Sequence, residues 1–488
     1  MNQASPAERP ELTVAVKSFY GMGALGASAK AQLFGFLLLF YNQLVGLAAP
    51  LVSAAIAIAL LIDAFWDPIV GQISDNTRTP WGRRHPYIYG AALPSAICFS
   101  LLFMPPRGWS QAGLFLWLLG MVVGVRMFDS LNEIPGGAVG PELTANYEER
   151  TSIQSFRYLF GAVAGGALAA ILGFGVFLRG TRAERFGQLN IAGYAPYAVT
   201  IAAIGLVAVL AQGLATQRFI PFMHRPERRR PTLGAVAREI GLAISNRNFV
   251  SLAISGFVFG ISIGISGGLL SYLYTYFWEL PPAALLVIRL SAIPAGILAV
   301  VVAPMLARRF DKKRACITVF FLSIFSTTIP IGARLLGILP PNGSPVVFAL
   351  LIGDTMMTSI LATTGFIIVT SMLMDVVEDT QVRTGRRAEG LLFSVDSLLR
   401  KLTTAFSALA PGLIIAYVRF PAHARPGHVP MAILTHLALI YLPLTTGLNL
   451  CSTSLLLLYR IDRRRHQTNL EHLAGAARLV ETADPIAQ

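Results

Sequence analysis

Two acids stand four residues apart in the stretch LIDAFWDPIVGQISD, at Asp63 and Asp67, after an uncharged run from Phe34 to Ile62. At i and i+4 they share one face of a helix, stacked about a turn apart. Each charge carried to membrane depth costs at least about 2.5 to 3.5 kcal/mol, and neighbouring carboxylates repel. The pair therefore calls for a positive partner: an exchangeable Na+ or proton, or a fixed basic side chain. A second charged face runs through VRMFDSLNEIP, where Arg126, Asp129 and Glu133 recur at i, i+3 and i+7. Its spacing predicts a structural Arg126–Asp129 pair. Glu133 is then left over, with the Ser130 hydroxyl a turn earlier as a further oxygen. Asp396 and Arg400, again at i and i+4, are expected to pair with each other.

The elements that must hold these residues follow from composition. Of 488 residues, 54% are hydrophobic and only 13% charged, with a mean hydropathy of +0.62. Apolar runs near twenty residues recur along the whole chain, the length that crosses about 30 Å of hydrocarbon as a helix. The chain reads as an all-α polytopic membrane protein of twelve transmembrane helices, near 18–41, 50–74, 87–104, 112–135, 152–177, 195–215, 249–277, 283–306, 315–335, 346–373, 390–417 and 431–458. The net charge of +14 reports orientation rather than nucleic-acid binding. Most Lys and Arg fall in the tails and in the segments between even and odd spans, whereas the opposite side holds Arg107, Arg179, Arg182, Arg185, Arg334, Arg419 and Arg425. By the positive-inside rule both termini are cytoplasmic. The N-terminus lacks the short apolar core and small-residue cleavage site of a leader, so the first span is expected to be an uncleaved anchor. Cys98, Cys316 and Cys451 show neither disulfide nor metal spacing.

A cytoplasmic tail at 1–17, a six-helix half at 18–215, a basic middle loop at 216–248, a second half at 249–459 and a cytoplasmic tail at 460–488 make up the expected organisation. The halves echo each other. GQISDNTRTPWGRRHPY follows the second span and PMLARRFDKKRA the eighth. Parallel six-helix repeats are the build of many secondary transporters, with the substrate held between them.

DAFWDPIVGQISDNTRTPWGRRHPY resembles the second helix and following loop of the glycoside, pentoside and hexuronide cation symporters, the melibiose-carrier group of the major facilitator superfamily. The likeness extends to YGMGALG, Glu133-Ile134-Pro135, SFRYLFG, YFWEL and EGLLFSVDSLLRK, nearly the whole chain. It implies a major facilitator fold of two six-helix halves and cation-coupled symport of a sugar or glycoside by alternating access. It further implies that Asp63, Asp67 and Glu133 hold the coupling ion and are the metal ligands if the ion is Na+, with Ser130 the further cation-binding oxygen that the spacing offers. Arg157 matches a residue near the sugar, and Lys401 a lysine thought to reach the acids. Gly71, Asp75, Trp81, Gly82, Arg83 and Arg84 resemble the superfamily's loop between helices two and three, where acid–arginine pairs at helix ends hold a gate.

The chain departs from the pattern at informative positions. Trp66 stands where Na+-using members often carry Asn, and an indole offers no acceptor, so Na+ and H+ both remain open. Ala27 and Ser28 replace a Lys-Asp pair, and Gly137 replaces a Trp. Ser28, Trp66, Arg157 and Lys401 are the candidate substrate contacts. A lysophospholipid or other amphipathic or organic solute is the alternative cargo. GMGALG opens a span rather than following a strand, which excludes a dinucleotide fold. GISIG and GISGG lie inside a span without a strand-to-helix elbow. No enzyme is expected. No cofactor beyond the ion is expected, and no nucleic acid. The partners are a small-molecule substrate, the coupling cation and membrane lipid, the working unit is a monomer, and the address is a bacterial inner membrane.

Overall fold

The computed structural model of the chain describes residues 10–144, 146–182, 184–223, 241, 245–384 and 389–472. Most of the middle loop and the ends of both expected tails lie outside these residues. Every regular element described is helical. In chain order the main helices are α1 (Val14–Met22), α2 (Leu25–Phe34), α3 (Ala49–Asn76), α4 (His85–Leu102), α5 (Gln111–Val139), α6 (Tyr147–Tyr158), α7 (Ile191–Gln217), α8 (Arg247–Tyr272), α9 (Pro282–Arg309), α10 (Lys312–Leu335), α11 (Pro345–Thr384), α12 (Glu389–Ser407), α13 (Leu409–Tyr417) and α14 (Met431–Leu456). Among the described residues ten helical stretches are long and apolar enough to cross a membrane. An eleventh arises if Val14–Phe34 and Leu37–Val45, which meet at 44°, are one bent span. The 18-residue α4 occupies the place expected for the third span.

The helices are not uniformly α. Phe40–Val45, Leu159–Gly165, Ile171–Phe177 and Leu273–Phe277 are wound as π-helix, whose i to i+5 ladder takes in an extra residue. The span that starts with α6 contains two of them and still runs unbroken to Phe177.

Chain contacts gather into two compact units. One comprises 1–229, 265–293 and 404–437; the other comprises 230–264, 294–403 and 438–488. In the first unit, helices approach where side chains are smallest, which suits membrane interfaces, where packing rather than water exclusion drives association. A Cβ placed on Gly26 of α2 would lie 2.7 Å from the Gly205 Cα of α7, and one on Gly165 would lie 2.7 Å from the Leu25 carbonyl oxygen. The first unit also ties 265–293 and 404–437 to its early helices through polar side chains. Gln43 Oε1 accepts the Ala424 N–H at 2.9 Å and the Tyr276 hydroxyl at 3.3 Å, while Tyr272 donates to Asn42 Oδ1 at 2.7 Å. In the second unit Phe249, Cys316, Phe320, Met372, Val376, Leu392 and Tyr459 build an apolar core, with Phe259 stacked on Phe320.

Gly26→Val should destabilise the protein by about 1–3 kcal/mol, the usual cost of overpacking a close crossing. A lowered thermal midpoint in detergent relative to the parent is the expected reading; an unchanged midpoint would contradict the contact.

Candidate functional site

Asp63 and Asp67 stack along α3, with Asp63 buried and Asp67 half-buried. From the neighbouring α5, Ser130 brings its hydroxyl oxygen to 3.0 Å from Asp63 Oδ1 and 2.6 Å from Asp67 Oδ1. A serine hydroxyl owns one hydrogen, so it donates to only one of these carboxylates. The hydroxyl is shared between the two acids, at hydrogen-bonding distance from both. Two prolines interrupt the backbone ladders of both helices here. Pro68 and Pro135 have no N–H to return to the carbonyls of Ala64 and Leu131, each one residue from a member of the trio. Trp66, half-buried, donates its indole N–H to the Met127 carbonyl at 3.2 Å. The ring thus fastens α3 to α5 beside the acids.

Glu133 does not join them. It is exposed on the wall of a small polar cavity, also lined by Lys30, Ser95, Asp129 and Asn132. Asp63, Asp67 and Glu133 therefore do not converge as a three-carboxylate set in this structure. The reason is local: Glu133 follows Ser130 by three residues on α5, and its face opens toward α2 and α4.

The expected Arg126–Asp129 pair is replaced. Asp129 Oδ1 binds Lys30 Nζ of α2 at 2.6 Å and the Ser95 hydroxyl of α4 at 2.5 Å, and Lys30 Nζ also donates to Ser95 at 2.6 Å. Arg126 lies over the Phe34 ring at 5.1 Å instead. A lysine reaching from another helix outcompetes a neighbour on the same helix, because it closes a three-helix network with the Ser95 hydroxyl. Nothing in the sequence marked Ser95 or Asn132, since lone polar residues are common in membrane helices. Farther along the first unit, Arg157 donates to the Tyr20 hydroxyl at 3.2 Å, which donates to the Gly137 carbonyl at 3.1 Å. Gly137 leaves room for the guanidinium: an added Cβ would stand 3.5 Å from Arg157 Nη2. Ser28 packs into the groove of Gly161 and Gly165.

At the loop motif after α3, Arg83 and Arg84 lie 3.4 and 3.5 Å from Asp75, and both also meet Glu142 just past the end of α5. Burial pushes the Arg84 guanidinium below its ordinary value, with Glu142 the chief opposing influence. Gly82 supplies a left-handed turn at φ +78°, while Gly71 has open space around it. In the second unit, Arg400 pairs with Asp396 at 2.7 Å as expected, and Lys401 lies next to it on α12.

The family model described as MFS/sugar transport protein matches residues 19–463. The chain belongs to that family. It is 24% identical over 479 residues to the isoprimeverose transporter of Lactiplantibacillus pentosus, covering 95% of this chain and 93% of the relative. It is 24% identical over 460 residues to the putative glycoside/cation symporter YagG of Escherichia coli K12, covering 93% and 94%. A 270-residue stretch is 31% identical to an uncharacterized symporter of Synechocystis, and there the match spans 53% of this chain and 47% of the relative's length. In fold it is similar to the nucleoside transporter NupG, with a TM-score of 0.60 at 13% identity over 91% of this chain and 98% of that one. The MFS/sugar transport assignment makes the chain an integral, multi-pass membrane transporter rather than an enzyme.

Breaking the buried Lys30–Asp129 pair should be costly. Lys30→Met is expected to lose about 3 kcal/mol or more because it strands a carboxylate, and Lys30→Met with Asp129→Leu should recover most of that loss in a thermal-unfolding comparison. At the loop, Glu142→Gln should destabilise more than Asp75→Asn, since their side chains are 14% and 51% exposed and exposed ion pairs are weak. Equal midpoints for those two variants would refute the ranking.

Proposed function

We propose that this chain is a cation-coupled symporter of a sugar or glycoside, working by alternating access with twelve membrane-spanning helices in two six-helix halves. Both termini would face the cytoplasm, in a bacterial inner membrane. The observation that carries the coupling site is the single Ser130 hydrogen set between two carboxylate oxygens. A proton or a Na+ taken up at the Asp63–Ser130–Asp67 trio would cancel charge that otherwise opposes movement through hydrocarbon. Family membership and the symporters similar over most of the chain support the sugar cargo.

In this reading Glu133, with Lys30, Asp129 and Asn132, offers hydrogen-bonding groups beside the ion site, and Glu133 enters the ion's surroundings only in another stage of the cycle. Arg157, held by Tyr20, presents a cationic donor suited to hydroxyl groups. Lys401 is the candidate contact on the second unit. Ser28 acts through packing against the fifth-span glycines, and Trp66 through its grip on Met127. The pairs of Arg83 and Arg84 with Asp75 and Glu142 serve as a cytoplasmic gate that breaks and reforms.

The test is uptake into proteoliposomes with an imposed Na+ gradient in one arm and an imposed pH gradient in the other, using pentosides and galactosides as probes. Asp67→Asn should abolish gradient-driven uptake in whichever arm is active while the protein still inserts. Ser130→Ala should weaken the response to that ion by about 10- to 100-fold, the loss of a hydrogen bond to a charged group. Uptake in the Asp67→Asn protein that still follows the gradient would end this reading.

A further inference from the structure

A second cluster of titratable side chains lies in the other unit and takes no part in the proposed transport site. Asp375 and Glu378, three residues apart, share one face of α11. His466 comes from the helical segment 463–472 that follows α14. The sequence places that segment with care. Asp462 caps it by accepting the Arg465 N–H at 2.8 Å, Arg465 clasps Asp379 at 2.9 Å, and the Arg460 N–H donates to Asn248 Oδ1 at 2.9 Å. His466 Nδ1 consequently faces Glu378 Oε2 at 3.0 Å and Asp375 Oδ1 at 3.5 Å.

Three observations point to a ligand. The donor atoms of the three side chains all lie within 4.8 Å of one another, the one such group among the described residues. An ion held tetrahedrally at about 2.0–2.2 Å from each ligand separates its ligands by roughly 3.3–3.6 Å, close to the His466 distances. His466 Nδ1 and Glu378 Oε2 are both buried atoms without a hydrogen-bond partner, although they face each other. Charge agrees. Lys312 Nζ contacts Asp375 Oδ1 at 2.7 Å and Oδ2 at 2.9 Å, which balances one carboxylate of the two. An ion taking Oδ1 leaves Oδ2 to the lysine.

We propose that Asp375, Glu378 and His466 form a binding site for a divalent transition metal, with Zn2+ the best match, that fastens the segment after α14 to the end of α11. One imidazole and two carboxylates are a donor set that zinc accepts, with a fourth position left for water.

The experiment is calorimetric titration of ZnCl2 into the full-length protein in detergent, its affinity tag removed, alongside thermal unfolding with and without Zn2+. The expected result is one equivalent bound and a raised midpoint, as for any ligand that binds only the folded state. His466→Ala and Glu378→Gln should each weaken binding at least about tenfold, given that losing even an outer partner of a metal ligand costs about 10–100-fold. Asp63→Asn should bind Zn2+ like the parent. Glu378→Gln leaves the Asp462 cap, the Arg465–Asp379 pair and the Arg460–Asn248 bond in place, so it remains informative if His466→Ala folds poorly. Absence of stoichiometric binding, with His466 answering only to protons, overturns the proposal, and so does binding that neither variant weakens.

Discussion

A charge inside hydrocarbon has to meet its opposite, and the arrangement of the first unit follows from that requirement. Lys30, Ser95 and Asp129 come from three helices and close one network, so α2, α4 and α5 are held in register by electrostatics as well as by packing. The Asp63–Ser130–Asp67 trio differs in kind. It sets two carboxylates around one hydroxyl, whereas the lysine network sets one ammonium against one carboxylate. Adjacent residues of α5 thus serve two different contacts, Asp129 an ion pair with Lys30 and Ser130 the two carboxylates of α3.

Much of this was legible in the sequence, and the failures have a common cause. Helical spacing alone brings Asp63 over Asp67 and Asp396 to Arg400, because those relations are local. The same logic favoured Arg126 for Asp129 and was overruled by a lysine 99 residues away. Spacing along one helix cannot register a competitor from another. Glu133 shows the complementary limit: its type and position resemble a family acid, yet its place on the α5 face turns it toward Lys30 rather than Asp63. The close crossing of Gly26 and Gly205 was likewise invisible, since a glycine in an apolar run does not announce what approaches it.

At the loops after α3 and before α10 the echo in the sequence acquires a physical meaning. In the first unit the basic residues after α3 meet an acid at the end of α5; in the second, Lys312 at the start of α10 meets Asp375 near the end of α11. Each unit pins the end of one long helix with a cation from a neighbouring loop or helix start. The units differ in what they add. The first supplies two arginines and no histidine, while the second supplies one lysine and then recruits Arg465 and His466 from beyond α14.

The π-helical turns give these helices a tolerance that ordinary membrane helices lack. Removing one residue from an α-helix turns everything beyond it by about 100° and carries a lipid-facing side chain toward the protein interior. A π turn already holds a surplus residue, so a deletion within Ile171–Phe177 is absorbed by tightening that turn to α, and the faces on either side keep their orientation. The span from Glu148 to Phe177, with two such turns, can therefore change length over evolution without changing which of its sides meets lipid.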